Sequence, residues 1–247
     1  MMSYRIVLGL SVTLFLLVGA IGWAANMPKP AALVGETISN APPPGPTRSA
    51  ETTTAVPPSI GVIDPQWLQR VSDATTIPIR VLQAYATAAA EVDREQPRCK
   101  LGWNTLAAVG YIESEHGSHG GAHIGTDGNL IGTIIGPRLD GTSFAAVPDT
   151  DQGKSDGDTR WDHAVGPLQF LPHTWATQGL DGNGDGVADP NNIDDAAYTV
   201  ANYLCAGGRD LTTAGGWSDA VLSYNNDVKY VQEVRSESAL YATKSDG

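Results

Sequence analysis

Hydrophobic positions recur at intervals of three and four from Ile77 onward, the spacing of a helix with one buried face. Leu82, Tyr85, Ala89 and Val92 fall on one stripe, and Pro78 stands where a first helical turn tolerates proline. A second pattern predicts a helix over Trp103 to Glu115, with Trp103, Leu106, Ala107 and Gly110 on its buried side and Gly117 as the stop. Ile193, Ala196, Ala197, Val200 and Leu204 predict a third helix, with Asp194 and Asp195 in its first turn, where acidic groups suit the helix dipole, and Gly207-Gly208 beyond its end. Shorter patterns predict helices over Ser218 to Tyr224 and Val228 to Tyr241. Long alternating strands are absent, so the fold class is mainly α. Between Gly117 and Asp162 the helical pattern gives way to Gly and Asp residues, which predicts a long loop excursion over the surface.

The N-terminal third follows other rules. Ile6 to Ala25 is an uncharged apolar run of 20 residues preceded by Arg5, long enough to cross a bilayer once. Residues 1–26 therefore read as a signal peptide or membrane anchor, the length of the run favouring the anchor over a cleaved leader. Residues 27–60 are rich in Pro, Thr, Ala and Ser, with Pro42-Pro43-Pro44-Gly45-Pro46 and Pro57-Pro58, and read as an extended tether. Residues 61–243 are left as one domain, extracytoplasmic and either anchored or secreted. The net charge of −12 argues against nucleic-acid partners, which demand clustered Lys and Arg. Cys99 and Cys205 are the two cysteines, and in an exported protein such a pair is expected to form a disulfide.

Three segments carry candidate chemistry. Ala108-Val109-Gly110-Tyr111-Ile112-Glu113-Ser114-Glu115-His116-Gly117 sets a carboxylate at the end of an apolar helix, where burial and the negative end of the helix dipole both favour its protonated form. A carboxylic acid near neutral pH is what protonation of a glycosidic oxygen requires. Glu115 points to another side of the helix. Gly166-Pro167-Leu168-Gln169-Phe170-Leu171-Pro172 joins a turn to an amide that both donates and accepts hydrogen bonds and to an aromatic ring. Tyr224-Asn225 closes a short apolar helix.

In this order the three segments resemble the motifs of lytic transglycosylases of the membrane-bound B group, in the form found in actinobacteria, over roughly Ile77 to Tyr230. The resemblance implies a lysozyme-like fold acting on peptidoglycan glycan strands. It implies Glu113 as the single acid and base, and a sugar groove lined by Ser114, Gln169, Phe170, Tyr224 and Asn225. The implied reaction is lytic: Glu113 protonates the oxygen between muramic acid and glucosamine, the substrate's acetamido group supports the anomeric carbon, and the ionised Glu113 then deprotonates the muramic acid 6-hydroxyl as the anhydro ring closes. A goose-lysozyme-like hydrolase is the alternative; it needs a second carboxylate to activate water, for which Asp158 and Asp162 are candidates. A wall-binding module of the same fold without activity is the other.

The reaction needs no cofactor. Asp181, Asn183, Asp185, Val187 and Asp189 nevertheless follow the alternate-position spacing of a calcium loop, with Gly186 at its sharp turn. The pattern departs at Asn192, where a bidentate Glu is usual, leaving Asp194 or Asp195 to substitute. His116, His119 and His123 lie in the Gly-rich loop without a helical frame to make a zinc site. Asp149, Asp151, Asp156 and Asp158 read as a solvated acidic loop.

Overall fold

The computed structural model describes residues 63–245. The expected leader or anchor (1–26) and tether (27–60) lie outside these residues. Among the described residues no helix is long and apolar enough to cross a membrane.

Among the described residues seven α-helices form: α1 (Pro65–Thr75), α2 (Ile79–Glu95), α3 (Trp103–Ser114), α4 (Pro172–Gln178), α5 (Ile193–Cys205), α6 (Ala214–Tyr224) and α7 (Val228–Ser245). A hairpin of two short antiparallel strands, β1 (His123–Ile124) and β2 (Leu130–Ile131), sits in the excursion after α3. The mainly α expectation holds, with two additions. Helix α1 begins with Asp64 accepting a hydrogen bond from the Gln66 amide and with Pro65 in the first turn, a capping signal strong enough to start a helix on few apolar residues. Helix α4 likewise begins on a proline, Pro172. Helices α6 and α7 extend beyond their predicted ends by about one turn each.

Helix α3 is the axis of the core. Every residue from Trp103 to Gly110 is buried, which explains why its pattern is apolar almost all round. The exceptions are satisfied. Asn104 Nδ2 donates to the Ser238 carbonyl and hydroxyl at 3.0 and 2.8 Å, and Thr105 Oγ1 accepts from the Trp217 indole at 3.1 Å. Helix α7 runs antiparallel along α3, with Ser238 against Asn104 at one end and Tyr230 against Glu113 at the other. Gly110 is required where α3 meets α2, because a Cβ there would land on the Tyr85 hydroxyl. Helix α5 packs along α2, tied also by the Arg80–Asp194 ion pair.

The Cys99–Cys205 disulfide forms, with Cα atoms 5.5 Å apart, and joins the entrance of α3 to the end of α5 across a sequence separation of 106 residues. The excursion is pinned to the domain at intervals rather than paved with strands: single bridges link Pro148 to Trp161, Ile135 to Val165 and Asn129 to Asn192.

Candidate active site

Glu113 lies at the last turn of α3 and is 1 % exposed. Its Oε1 accepts a hydrogen bond from the Tyr230 hydroxyl at 2.7 Å, while Oε2 is buried with no protein partner. Burial pushes the carboxyl up to about 8, against the opposing effect of the Tyr230 hydrogen bond, which favours the ionised form. The group is therefore a carboxylic acid at neutral pH. Since Oε1 is occupied as an acceptor, its proton belongs on Oε2.

Three consecutive left-handed residues, Glu115 (φ 52°), His116 (φ 62°) and Gly117 (φ 79°), turn the chain sharply after α3. The turn brings the Gly117 amide onto Ser114 Oγ at 2.8 Å, and the same hydroxyl donates to the Pro167 carbonyl at 2.5 Å. Ser114 thus joins the end of α3 to the Gly166–Phe170 turn. On the opposite side the Tyr224 hydroxyl, at the end of α6, donates to the Leu168 carbonyl at 2.5 Å. Burial and the neighbouring Glu113 carboxyl hold the Tyr224 phenol well above its usual range, so it remains a donor.

The turn so held presents Gln169, fully buried and itself left-handed at φ 49°. Its Nε2 donates back to the Gly166 carbonyl at 3.0 Å, which leaves Oε1 buried and without a partner. Asn225, next to Tyr224, is 5 % exposed, and its Nδ2 is likewise buried and unpaired. Glu113 Oε2, Gln169 Oε1 and Asn225 Nδ2 are thus orphaned polar atoms contributed by the three sequence motifs, and each costs free energy until something bonds to it.

The expected groove residues separate on this point. Gln169 and Asn225 have unsatisfied side-chain atoms. Ser114 and Tyr224 are buried with their hydroxyls bonded inside the protein. Phe170, 1 % exposed, lies edge-on between Trp175 and Tyr224 at 5.0 and 6.1 Å. Tyr230 is absent from the sequence reading because a Tyr in the polar helix Val228-Lys229-Tyr230-Val231-Gln232-Glu233 reads as ordinary core. Its spacing after the Tyr-Asn pair is the one available signal.

The two carboxylates considered for water activation are engaged. Asp162 is fully buried, accepting from the Thr150 amide and hydroxyl at 2.9 and 2.6 Å. Asp158 pairs with Arg138 at 2.5 Å and faces His163 at 3.5 Å. Asp149, Asp151 and Asp162 are the one group of three metal-ligating side chains close enough to share an ion among the described residues. Asp149 Oδ1 already holds the Asp151 and Gly153 amides at 3.1 and 3.0 Å. His116 is buried while His119 and His123 are exposed, so these three do not converge.

In the loop after α4, the Asp181 carboxylate accepts from the amides of Gly184, Asp185 and Gly186 at 2.7, 3.2 and 2.8 Å, and Asp185 Oδ1 from that of Val187 at 2.8 Å. Hydrogen bonds from the backbone, that of Gly186 foremost, hold Asp181 below the usual carboxylate range. Fully buried Asp195 closes the loop, accepting from the Gly182, Asn183 and Asp189 amides. Asn192, in the position of the usual Glu, instead caps α5 through the Asp194 amide at 2.9 Å and bonds Asn129 at 3.0 Å.

The model of the transglycosylase SLT domain family matches residues 146–239. This span takes in Gln169, Phe170, Tyr224, Asn225 and Tyr230, and stops short of Glu113, which reaches the site through its bond to Tyr230. The matched residues run from the excursion after α3 through α4, α5 and α6 into α7 of the mainly helical fold. Among solved structures, the chain is similar to SltB3 from Pseudomonas aeruginosa, determined in complex with NAG-anhNAM-pentapeptide. The likeness has 18 % identity and a TM-score of 0.39, covering 72 % of this chain and 66 % of the other, just under two thirds of its length. No curated protein matches the sequence with significance.

Proposed function

We propose that the chain is a peptidoglycan lytic transglycosylase of the membrane-bound B group, with Glu113 as its acid and then its base. One observation carries the reading: a fully buried, protonated carboxyl is held by a tyrosine from the family-matched segment, with one oxygen left unpartnered. Oε2–H delivers its proton to the glycosidic oxygen between muramic acid and glucosamine as that bond breaks. Negative charge then develops on Glu113, and the Tyr230 hydroxyl is already placed to stabilise it. The ionised carboxylate takes the proton from the muramic acid 6-hydroxyl as its oxygen bonds the anomeric carbon, so no water is consumed. Gln169 Oε1 and Asn225 Nδ2 supply one acceptor and one donor to the sugar's amide and hydroxyl groups.

The lyase is favoured over a hydrolase because Asp158 and Asp162 are committed to Arg138 and Thr150 and are poorly placed to activate water. The enzyme would work in the cell envelope, tethered through its N-terminal segment. Mass spectrometry of fragments released from purified peptidoglycan tests this. Anhydro-muramyl ends are expected; reducing ends would make the protein a hydrolase, and no fragments a binding module.

A structural calcium ion held by Asp181, Asn183, Asp185, the Val187 carbonyl and Asp189 belongs to the same proposal. The alternate-position spacing and the Gly186 turn support this reading, with Asp195, which accepts from the Gly182, Asn183 and Asp189 amides, as the proposed closing group in place of the usual Glu. Calcium is expected to raise the melting temperature and give a saturable heat in titration calorimetry, and absence of both would remove the site.

A further inference from the structure

His116 is buried just beyond the acid, and the lytic reaction as drawn makes no use of it. Its ring lies among Tyr85 of α2, Tyr111 of α3 and Tyr241 of α7, with centroids 5.9, 5.7 and 5.8 Å away. Nε2 is 2.9 Å from the Tyr241 hydroxyl and Nδ1 is 3.3 Å from that of Tyr85. With the ring proton on Nε2, His116 donates to Tyr241, and the Glu237 carboxylate acting on the Tyr241 phenol favours that tautomer. Nδ1 is then left to accept from Tyr85. The imidazole is neutral, with one donor and one acceptor, and both are used.

This arrangement bears on the acid through helix register. Tyr230 and Tyr241 are eleven residues apart on α7, about three full turns, so they share the face turned to α3. A slide of α7 by one residue, about 1.5 Å, would pull the Tyr230 hydroxyl off Glu113. Asn104–Ser238 pins the distant end of α3. His116–Tyr241 pins α7 to the turn that immediately follows Glu113. His116 adopts a left-handed backbone that is unfavourable for a non-glycine residue, and its two ring contacts hold it there.

We propose that His116, acting through Tyr241, is a positioning residue: it fixes the register of α7 against the end of α3 and thereby holds the Tyr230 hydroxyl on Glu113. This rests on the reading of Glu113 as the acid. The groups facing the pair are Tyr224 and Tyr230 around Glu113, and Tyr85, Tyr111, Tyr241 and Glu237 around His116.

The test is Tyr241→Phe, which keeps the ring and removes the hydroxyl, with His116→Gln as the conservative control because its amide nitrogen can occupy the place of Nε2. Tyr241→Phe is expected to lower kcat roughly tenfold with KM little changed. It should also raise the Glu113 titration midpoint by roughly one unit, followed by the 13C carboxyl resonance, because the bond that favours the ionised form is loosened. His116→Gln should retain the wild-type midpoint. In a Tyr230→Phe background, adding Tyr241→Phe should move the midpoint no further. A Tyr241→Phe protein of lower melting temperature but unchanged kcat and Glu113 midpoint would overturn the proposal, as would an additive shift in the double variant. The resonance needs no turnover, so a protein inactive on peptidoglycan would refute the functional reading and still decide this one.

Discussion

Glu113→Gln is expected to reduce release of anhydro-muramyl fragments by roughly 10³-fold or more while leaving the fold intact. The amide keeps the shape of the carboxyl and still accepts from the Tyr230 hydroxyl, so packing around the 1 % exposed side chain is preserved. What disappears is the proton on Oε2 and the basic oxygen needed afterwards. Both halves of the proposed reaction are lost together, and Asp158 and Asp162, engaged by Arg138 and Thr150, are poorly placed to restore either. Residual activity within tenfold of wild type, measured on the same peptidoglycan, would sink Glu113 as the acid. In the wild type, rate should fall through an alkaline limb near the Glu113 midpoint of about 8, since only the protonated acid starts the reaction.

The second large effect is on stability. Glu113 is raised from 4.5 to about 8 by folding, so the folded state retains a proton that the unfolded chain releases, and stability falls as pH rises between those values. His116 is lowered from 6.5 to about 3 by burial, so the unfolded chain binds a proton that the folded state refuses, and stability falls as pH drops below 6.5. Between pH 4.5 and 6.5 the two slopes oppose and cancel, which predicts a plateau. Above it the Glu113 slope stands alone, about 1.4 kcal/mol per pH unit, or about 2 kcal/mol by pH 8. Below it the His116 slope stands alone, and Asp127, Asp140, Asp181 and Asp210, held low by hydrogen bonds, add to the acid loss below pH 3.8. Urea unfolding from pH 3.5 to 9 should trace this shape. Glu113→Gln should flatten the alkaline side and leave the protein more stable than wild type at pH 8; an alkaline slope that survives the substitution would contradict the assignment.

The parts of the fold legible in the sequence were those written by local rules. Helix α5 shows its stripe, acidic first turn and trailing glycines, and its observed bounds follow them. Helix α3 is legible although it is buried all round from Trp103 to Gly110, because Trp103 and Gly117 mark its limits. Helix α1 is not legible from periodicity: its apolar positions are few, and the Asp64-Pro65 start carries more information than its pattern. At the site, Glu113, Gln169 and Asn225 announce themselves as chemistry at the ends of apolar segments. The partners that tune them do not. Tyr230 and Asp195 acquire their roles only when distant segments meet, and before that they are a core tyrosine and a first-turn aspartate. Ser114 and Tyr224 illustrate the converse, since motif membership marks them while only the geometry assigns their hydroxyls to the Pro167 and Leu168 carbonyls.

The bond between Tyr230 and Glu113 spans 117 positions of the chain. During synthesis the segment bearing Glu113 emerges well before α7, and without α7 that carboxyl lacks both its cover and its tyrosine. It is then an ordinary acidic side chain, ionised at neutral pH and unable to protonate a sugar. Under the proposed function the chain thus carries a built-in order of events: the acid comes into being only when α7 docks, and an incompletely made or partly folded copy would have no cutting power.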